Sequence, residues 1–434
     1  MAKRNWILAL AGVALLAACE EPEVILTGPR EDVSDAFPAS DIENTVRAVT
    51  LPAQSANPNW THRIGTPGYR TAHPALSTTP QLIWSASIGE GEGRKHRITA
   101  DPVVADGRIF TMDALASVAA VSTSGEPLWR RDMVPARDQA GDGAGGGLAY
   151  GDGKLFVSTG FGRLLALDPT TGSPLWEQRL NATGNGSPTY FEGRVYVVAG
   201  DDVAWALDAE TGRIDWQLGS LPNVKNVQTA AAPALTQKMA IFAFGSGEVQ
   251  AAFRRGGMRL WDSAVSGVRP GRSINTVGDI SSDPVVVGNT IYTANHSGRV
   301  VALNIDNGKR LWTAEEGALS PVWPLGDSIY LVSERNQLVR IDAKDGSKVW
   351  AVNLPLFVKK KPRKQARMHA HYGPVLAGGR LVVASSDGQI RFFDPASGDM
   401  TGSVAMPDGA TSNPVIAGRT LYLVSTDGKL HAFR

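Results

Sequence analysis

Residues 151–180 read GDGKLFVSTGFGRLLALDPTTGSPLWEQRL, and this stretch decides the fold. A turn, an apolar run, a second turn and an alternating run lead to a glycine that stands four residues before a tryptophan. Residues 192–219 and 288–315 repeat this arrangement. The glycine–tryptophan pair occurs at Gly125/Trp129, Gly172/Trp176, Gly212/Trp216, Gly257/Trp261, Gly308/Trp312 and Gly346/Trp350, and Gly398 has Gly402 in place of the tryptophan. Self-similarity at such a period is typical of repeat folds.

The apolar runs between the turns are short and rich in Val, Leu, Ile, Tyr and Phe, which is typical of β-strands. Runs such as LFVS (155–158) are continuously apolar, so we expect them to be covered on both faces. The runs that follow, such as GRVVALN (298–304), alternate more and are expected to be partly exposed. Asp-Gly pairs at 106–107, 152–153, 387–388 and 427–428 supply the positive φ of tight hairpins. Four such strands in about 45 residues predict the blade of a β-propeller.

Counting the strands predicts eight blades. First strands begin near Pro102, Leu148, Pro188, Pro233, Pro284, Val322, Pro374 and Pro414, and fourth strands lie at Trp84, Trp129, Trp176, Trp216, Trp261, Trp312, Trp350 and Gly402. The two series are out of phase, because the chain opens with an unpaired fourth strand (82–89) and ends after a third strand (429–433). We therefore predict an all-β, eight-bladed propeller over 76–434, in which the N-terminal strand completes the last blade and removes an exposed edge.

The seven repeat tryptophans, from Trp84 to Trp350, are predicted to dock neighbouring blades together. An indole ring buries roughly 150–250 Å² and stabilises the contact by about 4–6 kcal/mol as an upper estimate. The alternative is an aromatic cage for a ligand. A cage needs aromatic rings that converge on one pocket, whereas these recur once per repeat, so the docking role is favoured.

The first residues predict export to the cell envelope. Lys3 and Arg4 precede an apolar run from Trp6 to Leu16, which suits a signal peptide and is too short to span a membrane as a helix. The run ends in LAAC, and Cys19 is the sole cysteine of the chain. This resembles the lipobox of bacterial lipoproteins, which implies that residues 1–18 are removed and Cys19 carries the lipid. A cleavable signal with a chance cysteine is the alternative.

Residues 19–75 are predicted to form a flexible, lipid-anchored tether. Prolines occur throughout it, at 22, 29, 38, 52, 58, 67 and 74, and no periodicity is sustained. A short helix over 41–51 is one local possibility. Trp60 and His62 are the expected points at which this segment docks onto the propeller.

Composition and spacing argue against several classes of function. Lysine and arginine number 43 against 42 acidic residues, so no global positive field favours nucleic acid. One cysteine excludes a disulfide within the chain and a cysteine-based zinc site. The seven histidines show no zinc spacing, and no acidic cluster has the spacing of a calcium loop. We therefore expect no metal, no cofactor, no catalytic residue and no small-molecule substrate.

The pattern ALDxxTGxxxW at Ala166–Trp176 and Ala206–Trp216 resembles the repeat of pyrroloquinoline-quinone dehydrogenases. That resemblance implies an eight-bladed fold and leaves two classes of function open. An enzyme of that type would hold a quinone and a calcium ion on the propeller axis, and such enzymes typically stack the quinone on a vicinal disulfide, which this chain cannot form. The other class is a binding scaffold.

Taken together, the lipobox, the tether and the repeats resemble the BamB family of outer-membrane lipoproteins, and residues 279–312 are very similar to that family's fifth repeat. The resemblance implies a non-catalytic scaffold on the periplasmic face of the outer membrane, anchored there by its N-terminal lipid. The implied partners are the POTRA domains of BamA and other subunits of the β-barrel assembly (Bam) complex. A scaffold for a different envelope complex is the alternative, with a quinone-dependent dehydrogenase a less favoured one.

In that family, two neighbouring inter-blade loops bind BamA. The first corresponds here to the segment after Pro222, where Val224 and Val227 take the apolar places, Gln228 stands where the family has arginine, and Lys225 offers a substitute charge. The second corresponds to Asp279, the first of two family aspartates. The alternative for these residues is an ordinary solvated turn, with Asp279 as a turn cap.

One feature departs from the family pattern. The loop after Trp350 contains six basic residues within nine positions, from Lys359 to Arg367. Such a run is commonly a solvated face. The sharper hypothesis is contact with anionic lipid head groups or with an acidic partner.

Overall fold

The computed structural model describes residues 43–143, 145–184, 186–221, 230–265, 267 and 279–434. These residues form eight four-stranded antiparallel sheets arranged as the blades of a propeller, which confirms the predicted fold. Within this part of the chain, no helix has the length and apolar character needed to cross a membrane.

The first four blades follow the chain order. Blade 1 consists of β2 (Val103–Ala105), β3 (Arg108–Met112), β4 (Ser117–Ser122) and β5 (Pro127–Asp132). Blade 2 consists of β6 (Gly146–Gly151), β7 (Lys154–Thr159), β8 (Arg163–Leu167) and β9 (Pro174–Arg179). Blade 3 consists of β10 (Thr189–Phe191), β11 (Arg194–Val198), β12 (Val203–Asp208) and β13 (Ile214–Gly219). Blade 4 consists of β14 (Ala234–Leu235), β15 (Met239–Ala243), β16 (Glu248–Phe253) and β17 (Arg259–Ala264).

The remaining blades continue in the same way until the last. Blade 5 consists of β18 (Ile280–Val287), β19 (Thr290–Asn295), β20 (Arg299–Asn304) and β21 (Arg310–Ala314). Blade 6 consists of β22 (Trp323–Leu325), β23 (Ser328–Val332), β24 (Gln337–Asp342) and β25 (Lys348–Asn353). Blade 7 consists of β26 (His371–Ala377), β27 (Arg380–Ser385), β28 (Gln389–Phe393) and β29 (Met400–Ala405). Blade 8 consists of β30 (Val415–Ala417), β31 (Thr420–Val424), β32 (Lys429–Phe433) and β1 (Leu82–Ser87).

Blade 8 joins the two ends of the propeller, as predicted. Strand β1 pairs antiparallel with β32, with Leu82 opposite Phe433 and Ser87 opposite Lys429. Beyond these pairs, Gln81 and Arg434 exchange two backbone hydrogen bonds of 2.7 and 2.9 Å. The ring is therefore closed by backbone pairing between segments at opposite ends of the sequence.

The second and third strands form the core between blades. Both are buried along most of their length, as in β7 and β8 of blade 2, because neighbouring blades cover both faces. The expectation of partly exposed third strands was wrong: β20, which has the sequence RVVALN, is buried at its four central positions. The alternation between exposed and covered residues belongs to the fourth strands, such as β9, which form the outer wall.

Each of the seven repeat tryptophans lies against a glycine in the turn between the third and fourth strands of the next blade. A Cβ added to these glycines would lie within 3.0 Å of an indole atom, and the pairs are Trp84/Gly125, Trp129/Gly172, Trp176/Gly212, Trp216/Gly257, Trp261/Gly308, Trp312/Gly346 and Trp350/Gly398. Six of the indoles also donate Nε1–H to a backbone carbonyl of that turn or its flank, at 2.8–3.2 Å. The glycine of one repeat therefore leaves the space into which the tryptophan of the preceding repeat packs.

This geometry explains why Gly402 replaces a tryptophan. Gly402 lies on the fourth strand of blade 7, so a tryptophan there would face the turn between the third and fourth strands of blade 8. That turn does not exist, since these strands are β32 and β1 from opposite ends of the chain. An indole at this position would have no turn glycine on which to dock.

The described part of the predicted tether differs from a flexible chain. Residues 43–81, here called the strap, lie on the propeller, and Ile42–Arg434 form one compact unit. Residues 43–50 are not helical. Trp60 is 1% and His62 is 4% exposed, which confirms them as docking points. The segment lacks periodicity because many of its hydrogen-bond partners lie on the blades, and the bonds within it, such as the one from Ser55 to His73, follow no regular spacing.

The strap contacts the first strand of each of the eight described blades, or a residue next to that strand, in ring order. Its backbone or side-chain groups hydrogen-bond to Gly418 of blade 8, Val104 of blade 1, Tyr150 of blade 2, Tyr190 of blade 3, Leu235 of blade 4, Val286 of blade 5, Val322 of blade 6 and Gly378 of blade 7. Most of these contacts lie near the turns between first and second strands, and we call that side of the propeller the turn face. The opposite side, with the inter-blade loops, is the loop face.

Candidate partner-binding face

The predicted partner-binding residues belong to two segments that connect consecutive blades. Four of them, Val224, Lys225, Val227 and Gln228, lie outside the described residues. The described chain resumes at Ala230, and Asp279 is described. The structure therefore gives the flanks of the first loop (222–229) and of the second loop (266–278), and it gives the surface from which both start.

The first loop starts from a hydrogen-bonded base. Ser220, just after β13, donates a backbone hydrogen bond of 2.9 Å to the carbonyl of Asp202, and its Oγ lies 2.9 Å from Oγ of Ser246. The same hydroxyl donates to the carboxylate of Glu248. On the other flank, Ala231 is buried. The loop therefore starts and ends at positions that are fixed by the body of the propeller.

Asp279, at the end of the second loop, is buried. Its side chain is 3% exposed, and Oδ1 lies 3.1 Å from Nδ1 of His296, which sits in the turn between β19 and β20. This burial contradicts the alternative of a solvated turn. In this structure Asp279 packs the end of the second loop against blade 5 and does not face solvent.

Blade 4 brings the flanks of the two loops together. Ser246, in its turn between β15 and β16, contacts Ser220, which lies just before the first loop. The carbonyl of Gly247 in the same turn accepts a hydrogen bond of 2.8 Å from Val265, the last residue before the second loop. This turn therefore binds the residues that come just before the two loops, Ser220 and Val265.

Sequence reasoning missed Leu221, which immediately precedes the first loop. Its side chain is 73% exposed, so it offers apolar surface next to the positions of Val224 and Val227 in the chain. The signal was present, since an apolar residue after the polar end of an outer strand has no blade to cover it. The predicted binding segment started at Pro222 and did not include Leu221.

A cavity near the propeller axis is here called the axial channel. It is a cavity of about 440 Å³ lined by residues of blades 1, 5, 6, 7 and 8, including Glu334, His371 and Asn413. Arg63 of the strap also lines it and pairs with two buried carboxylates, with Nε 3.3 Å from Asp101 and Nη1 3.2 Å from Asp283. A side chain from the turn-face segment therefore reaches into the channel.

The two axial carboxylates already accept hydrogen bonds from protein groups. Asp101 accepts hydrogen bonds of 2.7 Å from both the backbone and side-chain nitrogens of Asn413, and Asp283 accepts one of 2.9 Å from the backbone of Ala232. Burial raises the pKa of Asp283, against the opposing effect of Arg63. Burial would lower the pKa of Arg63, but Asp283 and Asp101 outweigh it and raise that pKa.

The residues of the channel fit a quinone and calcium site poorly. A guanidinium occupies the space between the axial carboxylates that a calcium ion would need. Among the described residues, no group of three or more His, Cys, Asp and Glu side chains is placed to hold a metal. The arrangement is that of a packed ion-pair cluster that joins the strap to blades 1 and 5.

Comparison with known proteins links the chain to one family. The family model of the outer membrane protein assembly factor BamB matches residues 114–352, more than half of the chain. BamB of Shewanella oneidensis is 25% identical over 336 residues, which cover 75% of this chain and 82% of that protein.

Solved structures show the same fold. The crystal structure of BamB from Moraxella catarrhalis matches with a TM-score of 0.68 at 19% identity, covering 82% of this chain and 100% of that one. A quinohemoprotein alcohol dehydrogenase from Comamonas testosteroni matches with a TM-score of 0.63 at 15% identity, covering 87% of this chain and 81% of that one. At such identities the likeness shows the propeller and does not distinguish a scaffold from an enzyme.

Proposed function

The chain belongs to the BamB family of outer membrane protein assembly factors, and we propose that it is a non-catalytic scaffold of the outer-membrane assembly complex. In this role it binds the POTRA domains of BamA, alongside other subunits of the complex, and aids insertion of β-barrel proteins. The family match is the observation that carries the proposal, because it runs from the middle of blade 1 to the last strand of blade 6 and includes both candidate loops.

The geometry of blade 4 supports the choice of binding surface. The residues just before the two loops, Ser220 and Val265, both bond to the turn between β15 and β16. A single partner domain can therefore contact both loops. Val224, Val227 and the exposed Leu221 supply the apolar part of this surface, and Lys225 and Gln228 supply its polar part. Asp279 has a supporting role, because it holds the end of the second loop against His296.

The channel supports a role without catalysis. An enzyme of the quinone type needs its axial carboxylates for the metal and for proton abstraction, whereas here Arg63 pairs with Asp101 and Asp283. The chain's one cysteine cannot form the vicinal disulfide of such enzymes.

Attachment to the outer membrane is the second part of the proposal. Residues 1–18 are removed as a signal peptide, and Cys19 carries the lipid that anchors the protein at the periplasmic face. Residues 20–42 then connect the lipid to the strap.

Co-purification tests the binding surface. Changing Val224 and Val227 to glutamate adds two charges to the apolar part of the surface, so capture of BamA from detergent-solubilised outer membrane should fall about tenfold or more. The matched control changes Val46 and Val287, which are exposed elsewhere, to glutamate and should leave capture unchanged. Both variants should retain the circular-dichroism melt of the parent protein.

Equal recovery of BamA by the parent and the loop variant would refute the assignment of the surface. Recovery of a different envelope complex by the parent protein, without BamA, would instead support the alternative scaffold role.

A further inference from the structure

The basic loop after Trp350 is a defined hairpin on the loop face. Val358 donates a backbone hydrogen bond of 3.0 Å to Arg367, and His369 donates one of 2.9 Å to Leu356. The tip contains a short 3-10 helix at Pro362–Lys364. We call residues 356–369 the basic hairpin.

Blades 6 and 7 hold the base of this hairpin. The side-chain amide of Asn336 donates to the carbonyl of His369 at 2.9 Å, and Nε2 of His371 lies 2.8 Å from the carbonyl of Pro355. The other ring nitrogen of His371 lies 2.6 Å from Oγ of Ser385. The hairpin therefore projects from a fixed base.

The charges of the hairpin are not compensated within the described chain. Its tip is exposed and carries Lys359, Lys360, Lys361, Arg363, Lys364 and Arg367. None of these six forms an ion pair with a described carboxylate, and the sequence from 346 to 386 contains no aspartate or glutamate. Six like charges held on one hairpin repel each other, so this surface favours an anionic ligand.

Apolar side chains flank the basic tip. Val358 is 39% and Met368 is 51% exposed, and they stand on the two opposite arms of the hairpin. Exposed apolar residues beside lysine and arginine are typical of surfaces that lie in the interface of a lipid bilayer.

The strap enters the described structure on the same blade. Thr45 donates a backbone hydrogen bond of 3.0 Å to Val349, and Asn44 exchanges side-chain hydrogen bonds of 2.9 and 3.1 Å with Ala351, both on β25. From Arg47 back to Asn44, the contacts of the strap shift along β25 toward the last residue of that strand, Asn353. The basic hairpin begins just beyond that end.

We propose that the basic hairpin is a second membrane contact, which binds the head groups of anionic phospholipids. From Cys19 to residue 42 the chain can span at most about 80 Å, so a lipid on Cys19 alone leaves the orientation of the propeller open. The hairpin and the start of the strap share blade 6, so both contacts can reach one bilayer surface and hold that blade toward it. The lipid on Cys19 holds the chain at the membrane, and the hairpin then sets which blade faces the bilayer.

The choice of a membrane over an acidic protein rests on the flanking apolar residues and on the proposed lipid at Cys19. The binding of the hairpin is nevertheless tested without that lipid, so its outcome is separate from the outcome for BamA binding and for lipid attachment.

The test is co-sedimentation of the mature chain carrying Cys19→Ser with phospholipid vesicles. Vesicles of phosphatidylethanolamine with phosphatidylglycerol should bind the protein, and vesicles of phosphatidylcholine should not. Each basic residue near an anionic surface is worth about a fivefold change in partitioning, so changing Lys359, Lys360 and Lys361 to glutamine should weaken binding on the order of a hundredfold. Binding should also fall between about 0.1 M and about 1 M salt, as the Debye length falls from about 10 Å to about 3 Å.

The matched control changes Arg213, Lys309 and Lys344 to glutamine. These three exposed residues lie in turns between third and fourth strands on the turn face, and the change removes the same charge. Vesicle binding by this control should equal that of the parent. A second variant, Met368→Ser, should weaken binding severalfold at unchanged charge.

Three results would overturn the proposal. One is equal binding of the parent protein to the anionic and the zwitterionic vesicles. Another is equal loss of binding in the hairpin variant and the turn-face control. The third is hairpin-dependent binding to an acidic polypeptide, such as polyglutamate, without binding to anionic vesicles, which would assign the hairpin to an acidic protein.

Discussion

Replacing Arg63 with methionine tests whether the axial ion-pair cluster holds the strap to the blades. Methionine keeps much of the side-chain volume and removes the charge. Arg63 contacts Asp101 at 3.3 Å and Asp283 at 3.2 Å, and the side chains of the three residues are 10%, 5% and 1% exposed. The variant therefore leaves two carboxylates in a site that water barely reaches.

The expected loss of stability is about 3–5 kcal/mol at neutral pH, the usual cost of removing one partner of a buried pair. The Coulomb energy of each pair is of the same order, about 4 kcal/mol at 4 Å with an effective dielectric constant near 20. Part of this is offset because the desolvation cost of Arg63 disappears with its charge. Arg70 is also buried and is attracted by both carboxylates, so the lower end of the range is expected.

The effect should depend on pH in a defined direction. Burial already raises the pKa of Asp283, and loss of the guanidinium should raise it further. A carboxyl group whose pKa is higher in the folded protein than in the unfolded chain destabilises the fold when ionised, and the penalty is relieved as the pH falls through the folded pKa. The stability gap between parent and variant should therefore narrow on acidification.

Urea unfolding followed by tryptophan fluorescence, at neutral pH and at about pH 5, measures this gap. Arg63→Lys is the control, since it keeps the charge and should recover at least half of the loss. A gap below about 1 kcal/mol at neutral pH, or a gap that does not change with pH, would refute the reasoning.

Two further predictions concern the strap and the blade contacts. Burial lowers the pKa of His62 to about 4, so from an unfolded value near 6.5 the fold should lose about 3 kcal/mol as the pH falls between these values. His62→Gln should lose less over the same range in urea unfolding, and equal losses would contradict the assignment. Gly172→Ala should destabilise by at least about 2 kcal/mol, because its φ is +70° and the new Cβ would lie 2.5 Å from Trp129. Gly153→Ala has a similar φ of +66° with no atom within 4 Å, so its unfolding gives the cost of backbone strain alone, and an equal cost for both variants would rule out the tryptophan contact.

The candidate site was predictable only in part. The two loops were recognisable from their places in the repeat and from family resemblance. Their shared support by Ser246 and Gly247 was not, because those contacts join blades across the loop face. The burial of Asp279 was missed because its partner His296 lies 17 residues later in the turn between β19 and β20, where no local signal links the two.

The sequence by itself determined the blades and their number. Strand propensity, Asp-Gly turns and the glycine–tryptophan spacing are local properties, and the mismatch between the first and last repeats required the ends to pair. Only the tertiary structure decided the course of the strap and the role of Arg63. Their partners lie on blades distributed through the whole chain, and hydrogen bonds and ion pairs of that kind arise only after the ring has brought the eight first strands around one axis.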